Sequence, residues 1–210
     1  MPNSLSVRRL KLEEKIVYFE KPGASNTETT LRLAAKRAKA RSITKIILAS
    51  TRGETARLAA KTWADTGIKM VVVPHQYGFM SPKQRFPDEL VDELAKQGHS
   101  VHFGTMLFHT ERFYGIETPK VMADLLRTFC QGMKVCVEIT FMAVDGGKVE
   151  PGEQVVVVSG TGRGADTAVV AIAAPSTRFT DFHITEIICK PFQTKAILPP
   201  PMPPPPDTQA

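Results

Sequence analysis

Short unbroken apolar runs alternate along the chain with longer segments in which apolar residues recur every three or four positions. The runs KIVYF (15–19), KIILA (45–49) and KMVVV (69–73) predict strands. Between them, Leu31, Ala34, Ala35 and Ala38 share one helical stripe, and Ala56, Ala59, Ala60 and Trp63 share another. Leu90, Val91, Leu94 and Ala95 mark a third helix, closed by Gly98, and SVHFG (100–104) alternates like a strand. Strand and helix repeated three times predict a parallel α/β sheet. The spacings Ser25–Glu28 and Thr51–Glu54 both match a capping box at a helix start.

Beyond residue 118 the pattern changes. TPKVMADLLRTF predicts a helix with Thr118 as its cap and Pro119 at the first position. KVCVEITFMAV (134–144) fits two periods. Val135, Val137, Ile139 and Phe141 alternate as in a strand, whereas Lys134 and Glu138 pair across one helical turn. EQVVVVSGTGRGADTAVVAIAA reads as strand, glycine turn, strand, and ITEIIC (184–189) as a last strand. The chain ends in PPPMPPPPDTQA, with seven of its 16 prolines between 199 and 206. That run favours polyproline II and cannot join a helix or a central strand. The expected organisation is an N-terminal extension (1–13), one α/β domain (14–192) and a proline-rich disordered tail (193–210).

Composition narrows the class. Of 210 residues, 42% are hydrophobic and 23% charged, as in an ordinary soluble domain. No segment approaches the roughly 18 apolar residues that a membrane helix needs. The start lacks the apolar region of a secretory signal, so a cytoplasmic location without a membrane partner is expected. Cys130, Cys136 and Cys189 are too few for a disulfide framework, and their spacing gives no zinc site. His99, His102 and His109 have no accompanying ligand spacing, so no metal is expected. Residues 1–61 carry 14 Lys/Arg against 5 Asp/Glu, a net +9 within the overall +6. This is a solvated helix face or an attraction for an anionic ligand. No nucleic-acid-binding module accompanies it, so no nucleic acid is expected as a partner.

Two stretches carry candidate chemistry. In ILASTRGETARLAAK (47–61), a strand meets a turn and a helix start. Ser50, Thr51 and Thr55 offer hydroxyls, Gly53 close backbone approach, and Arg52 a charge-assisted contact, all suited to a phosphate. The capping box is the competing use of the same donors. In SGTGRGADT (159–167), glycines at alternate positions exclude the dinucleotide fingerprint. A backbone nest for an anion and a plain hairpin turn both remain. The loops 21–27, 74–79 and 105–112 follow other strands, so topology brings them to the same carboxyl edge. His75, Tyr77 and Phe79 are candidates to line a planar ligand.

IILASTRGETARLAAK resembles the effector-loop segment of the pyruvate kinase C-terminal domain, with Ser50, Gly53, Thr55 and Ala56 at the matching positions. VVVVSGTGRGADTAVV is similar to that domain's closing strand–loop–strand. The resemblance covers residues 14–190 and implies a three-layer α/β sandwich with a mostly parallel sheet. The 210 residues have no room for the family's catalytic barrel of about 250 residues, so pyruvate kinase activity is not expected. The chain also resembles stand-alone relatives of this domain, through Phe19–Thr27, Gly78–Phe79, Gly132–Ile139 and Gly160–Thr167. That likeness tilts 134–144 toward helix.

The resemblance implies a small phosphorylated ligand, flavin mononucleotide (FMN), as cofactor. Ser50, Thr51, Arg52, Gly53 and Thr55 would grip its phosphate. Gly160, Thr161, Gly162, Arg163 and Gly164, with Asn26, His75 and Gly78, would flank its ring and ribityl chain. Two alternatives stand beside plain binding. One is a flavin-dependent oxidoreductase with His75 or His109 as proton donor, and the other a regulatory sensor of a sugar phosphate. Homo-oligomerisation is a further implication of the resemblance.

Overall fold

The valine-rich runs are apolar at successive positions because the strands they form are covered on both faces. A computed structural model describes residues 12–193. Seven strands form one sheet: β1 (Val17–Phe19), β2 (Lys45–Ala49), β3 (Lys69–Val73), β4 (Ser100–Val101), β5 (Gln154–Ser159), β6 (Thr167–Ile172) and β7 (His183–Pro191). Their order is β1-β7-β6-β5-β2-β3-β4. Every pairing is parallel except those of β6 with β5 and β7, so β6 alone runs against the others. The sheet is therefore mostly parallel, as the repeated strand–helix pattern predicts.

Alternation along the strands feeds two cores. Ile46, Leu48, Met70, Val72, Val156 and Val158 meet α1 (Thr27–Ala40), α2 (Glu54–Thr62) and α3 (Asp88–Lys96) on one face. Ile47, Val71, Val73, Val155 and Val157 meet α6 (Gln131–Asp145) on the other. A short helix α4 (Glu111–Tyr114) and then α5 (Thr118–Arg127) precede α6, and α5 packs outside it through Ala123, Val137 and Phe141. The result is an α/β three-layer sandwich. Segment 134–144, readable either way from its pattern, is helix, and Val137 and Phe141 find a second helix to pack on instead of a sheet neighbour.

Several local expectations shift. Both capping boxes are absent. Each would start its helix at the second residue of the box, but α1 starts at Thr27, after a 3₁₀ turn at Ala24–Asn26, and α2 starts at Glu54. The N-cap of α5 is Glu117, which puts Thr118 inside the helix. The fourth strand is only Ser100–Val101, although the His102 N–H still donates to Val72 O at 2.9 Å. Part of the basic first third is ion-paired within the domain. Arg37 on α1 and Arg41, which caps its C-terminus, both pair with Glu14 and Glu186, with Arg41 Nε 2.6 Å from Glu186 Oε1. Residues 1–11 and the proline-rich tail from 194 onward lie outside the described residues. Among the described residues, no helix is long and apolar enough to cross a membrane.

Candidate functional site

With β6 the single reversed strand, the loops after β1, β2, β3, β4 and β5 all emerge at one edge of the sheet. The loop after β2 is pinned at its start. The Ser50 N–H donates to Val73 O at 3.4 Å, and Ser50 Oγ accepts from the Ala56 N–H at 3.2 Å. Gly53 then turns the chain into α2 with φ 90°, where a Cβ would sit 2.5 Å from Leu90 Cδ2. That position requires glycine for both conformation and space. With the capping box absent, the N–H groups of residues 51–55 take no partner among the described residues. The Thr55 hydroxyl also takes none among them, although Thr55 is only 7% exposed.

The loop between β5 and β6 is organised by Asp166, a fully buried carboxylate. Its Oδ2 accepts from the Gly23 N–H (2.9 Å) and the Thr161 N–H (3.1 Å), and its Oδ1 from the Thr167 hydroxyl (2.8 Å). One side chain thus ties the turn after β1 to the glycine loop. Thr27 makes a second tie, accepting from the Ala165 N–H at 3.1 Å. The fit is tight: a Cβ on Gly164, at φ 69°, would lie 2.6 Å from Ala24 Cα, and one on Gly160 2.5 Å from Gly164 O. The N–H groups of Gly162 and Gly164 take no partner among the described residues.

A third wall comes from the loop after β3 and from the segment before α5. The Phe79 ring lies between two imidazoles, with centroids 4.8 Å from His75 and 5.0 Å from His109. His75 Nδ1 is 2.7 Å from an Arg85 guanidinium nitrogen. His109 Nε2 is 3.1 Å from Lys134 Nζ, which is ion-paired one helical turn along α6 with Glu138. Glu138 Oε1 also accepts from the Phe108 N–H at 2.9 Å. Burial pulls the Lys134 ammonium below the usual lysine range, and the Glu138 carboxylate opposes that shift.

These walls enclose one cavity of about 930 Å³, also lined by Arg127 and Gln131. Its size suits a cofactor-sized ligand. An apolar hollow of about 260 Å³ beside Phe108 and Phe179 carries no charged lining. Of the sequence-derived candidates, Ser50, Thr51, Arg52, Thr55, His75, Gly160, Gly162, Arg163 and Gly164 line the large cavity. Four do not. Gly53 packs against α3, Thr161 is engaged with Asp166, and Asn26 closes its own turn on Lys21 O at 2.8 Å. Gly78 is an exposed turn residue with φ 76°.

Sequence reasoning missed Arg85, Arg127 and the inward side of α6. The signal for α6 was the Lys134–Glu138 spacing, which is a buried pair in the structure. Among the described residues, no three His, Cys, Asp or Glu side chains are placed to hold a metal ion. The cysteines are packed in the interior, and burial pushes the Cys189 thiol up to about 12 and that of Cys136 higher still.

Burial, reinforced by the Arg85 cation, pushes His75 down to about 4, although Glu138 partly opposes the shift. Below an unfolded value of about 6.5, the unfolded chain holds a proton that the folded chain refuses, so stability falls as pH drops from 6.5 toward 4. Melting temperatures measured across this window should fall less steeply for His75→Gln than for the wild type. Equal slopes would show that His75 carries no such penalty.

The family model described as pyruvate kinase, alpha/beta domain, matches residues 28–171. A pyruvate kinase from Cryptosporidium parvum is similar at 17% identity over 70% of this chain and 22% of that one, with a TM-score of 0.38. A second structure, Cryptosporidium parvum pyruvate kinase in complex with ADP, is 18% identical over 74% of this chain and 24% of that one, with a TM-score of 0.37. The chain thus spans less than a quarter of the length of either protein.

Proposed function

The chain belongs to the family of the pyruvate kinase alpha/beta domain, and from that premise we propose that it binds a phosphorylated ligand, FMN, in the cavity at the carboxyl edge of its sheet. One observation carries the reading: two loops whose N–H groups at residues 51–55 and at Gly162 and Gly164 take no partner among the described residues line the same cavity as an aromatic and imidazole wall. The first loop offers the start of the nine-residue helix α2, whose dipole favours an anion. The Thr55 hydroxyl and Arg52 add a neutral and a charged donor. Glu54, also on the cavity wall, works against an anion, and Arg52 and Arg163 offset it. Gly162 and Gly164 offer N–H groups from the facing loop.

Phe79 with its two imidazoles supplies what a planar ring needs, and a sugar has less use for such a wall. This favours FMN over a sugar bisphosphate. The oxidoreductase alternative loses support at His75. An imidazole that ionises near 4 is neutral at pH 7 and holds no surplus proton to donate.

A calorimetric panel of FMN, riboflavin and fructose 1,6-bisphosphate tests the reading. FMN should bind one per chain, and riboflavin, lacking the phosphate, at least tenfold more weakly. Tighter binding of fructose bisphosphate than of FMN would replace the flavin reading with the sugar-phosphate one.

A further inference from the structure

The two imidazoles on the cavity wall are held in opposite tautomers. A guanidinium can only donate, so Arg85 at 2.7 Å fixes His75 Nδ1 as an acceptor and puts the ring proton on Nε2. Lys134, an ammonium paired with the Glu138 carboxylate, likewise makes His109 Nε2 an acceptor and puts that proton on Nδ1. Neither remaining N–H has a partner among the described residues, and both rings line the cavity. Both stack edge-on against Phe79, which fixes their planes. A buried Lys–Glu pair is a costly way to fill a helix face that packs on Phe108 and Met106. Here the pair holds the Phe108 N–H through Glu138 and the His109 ring through Lys134.

We propose that His75 Nε2–H and His109 Nδ1–H form a two-donor clamp for the acceptor groups, carbonyl oxygens or ring nitrogens, of the ligand's planar part. This deepens the FMN reading and rests on it: the clamp takes the dione edge of the ring, at the end of the ligand remote from the phosphate. Both donors are neutral, so they recognise polar acceptors without demanding a charge. Arg85 and Lys134 are positioning residues that act through the imidazoles.

The test compares substitutions that delete each donor with ones that keep it. His75→Phe and His109→Phe preserve the ring contact with Phe79 and delete the N–H. His75→Gln and His109→Asn return an amide N–H near the ε and δ positions respectively. In calorimetric titrations, each Phe variant should raise the FMN dissociation constant about fivefold to tenfold, the effect of one lost hydrogen bond. Each amide variant should recover most of that loss. The affinity for inorganic phosphate should stay unchanged in all four, which also reports that each variant is folded.

FMN bound equally by wild type and Phe variants would overturn the clamp and leave the flavin reading intact. Wild-type protein that binds inorganic phosphate but not FMN would overturn the flavin reading and the clamp with it. Should a Phe variant lose phosphate binding through misfolding, the amide variants decide. His75→Gln and His109→Asn binding FMN like wild type support the clamp, whereas His75→Asn and His109→Gln, with the donor at the wrong position, binding equally well would overturn it.

Discussion

In the double variant Arg52→Ala/Thr55→Val, the dissociation constant for FMN rises about 30- to 2,000-fold, while the melting temperature stays near that of the wild type. The first half follows from what the two side chains offer. A charge-assisted contact from Arg52 contributes about 1.5–3 kcal/mol and a neutral hydroxyl contact about 0.5–1.5 kcal/mol. The second half follows from what they do in the folded chain. Arg52 is exposed, and the Thr55 hydroxyl has no partner among the described residues. Valine keeps the shape of threonine and leaves nothing unpaired. Affinity and stability measured on the same preparation check both halves, and an unchanged FMN affinity would leave this loop as a helix start alone.

Asp166→Ala has the opposite profile, with stability and binding lost together. It strips the acceptor from the Gly23 N–H, the Thr161 N–H and the Thr167 hydroxyl at a fully buried position. Each orphaned donor costs about 1–3 kcal/mol before relaxation, so a net loss of about 3 kcal/mol is expected. For a domain of this size that lowers the melting temperature by about 6–12 °C. FMN binding should fall at least tenfold, because the glycine loop and the turn after β1 lose their common anchor. Asp166→Asn keeps one acceptor oxygen and should show about half the thermal effect. A melting temperature within 2 °C of wild type for the Ala variant would remove Asp166 from this role, since about 2–4 °C corresponds to 1 kcal/mol.

What could be read from the sequence differs between the sheet and the site. The strands at 45–49 and 69–73 were legible to the residue because parallel strands buried on both faces need unbroken apolar runs. The helix at 131–145 was not, because it too is buried nearly all round, between the sheet and α5, and such a helix loses its polar stripe. Capping boxes misled for another reason. The spacing was right, but Gly53 in the left-handed region delayed the start of α2 by two residues. That delay frees the N–H groups that a box would have occupied.

At the site, the loops were legible because topology alone sends them to one edge. Asp166 was not, since an aspartate after a glycine turn reads as a surface residue until Gly23, 143 positions away, is seen donating to it. Lys134 meets its partner His109 from another segment, and Arg85 lies ten positions from His75 in one irregular loop, where no periodicity announces the contact.

On the proposed reading, a phosphate sits at the start of α2, facing the glycine loop. The most direct measurement is a proton–nitrogen NMR titration of the isotope-labelled chain with FMN, following the backbone amides. Saturable shifts are expected, largest at residues 51–55, Gly162 and Gly164, the N–H groups without partners among the described residues. Largest shifts on another edge of the sheet, or none at saturating FMN, would contradict it.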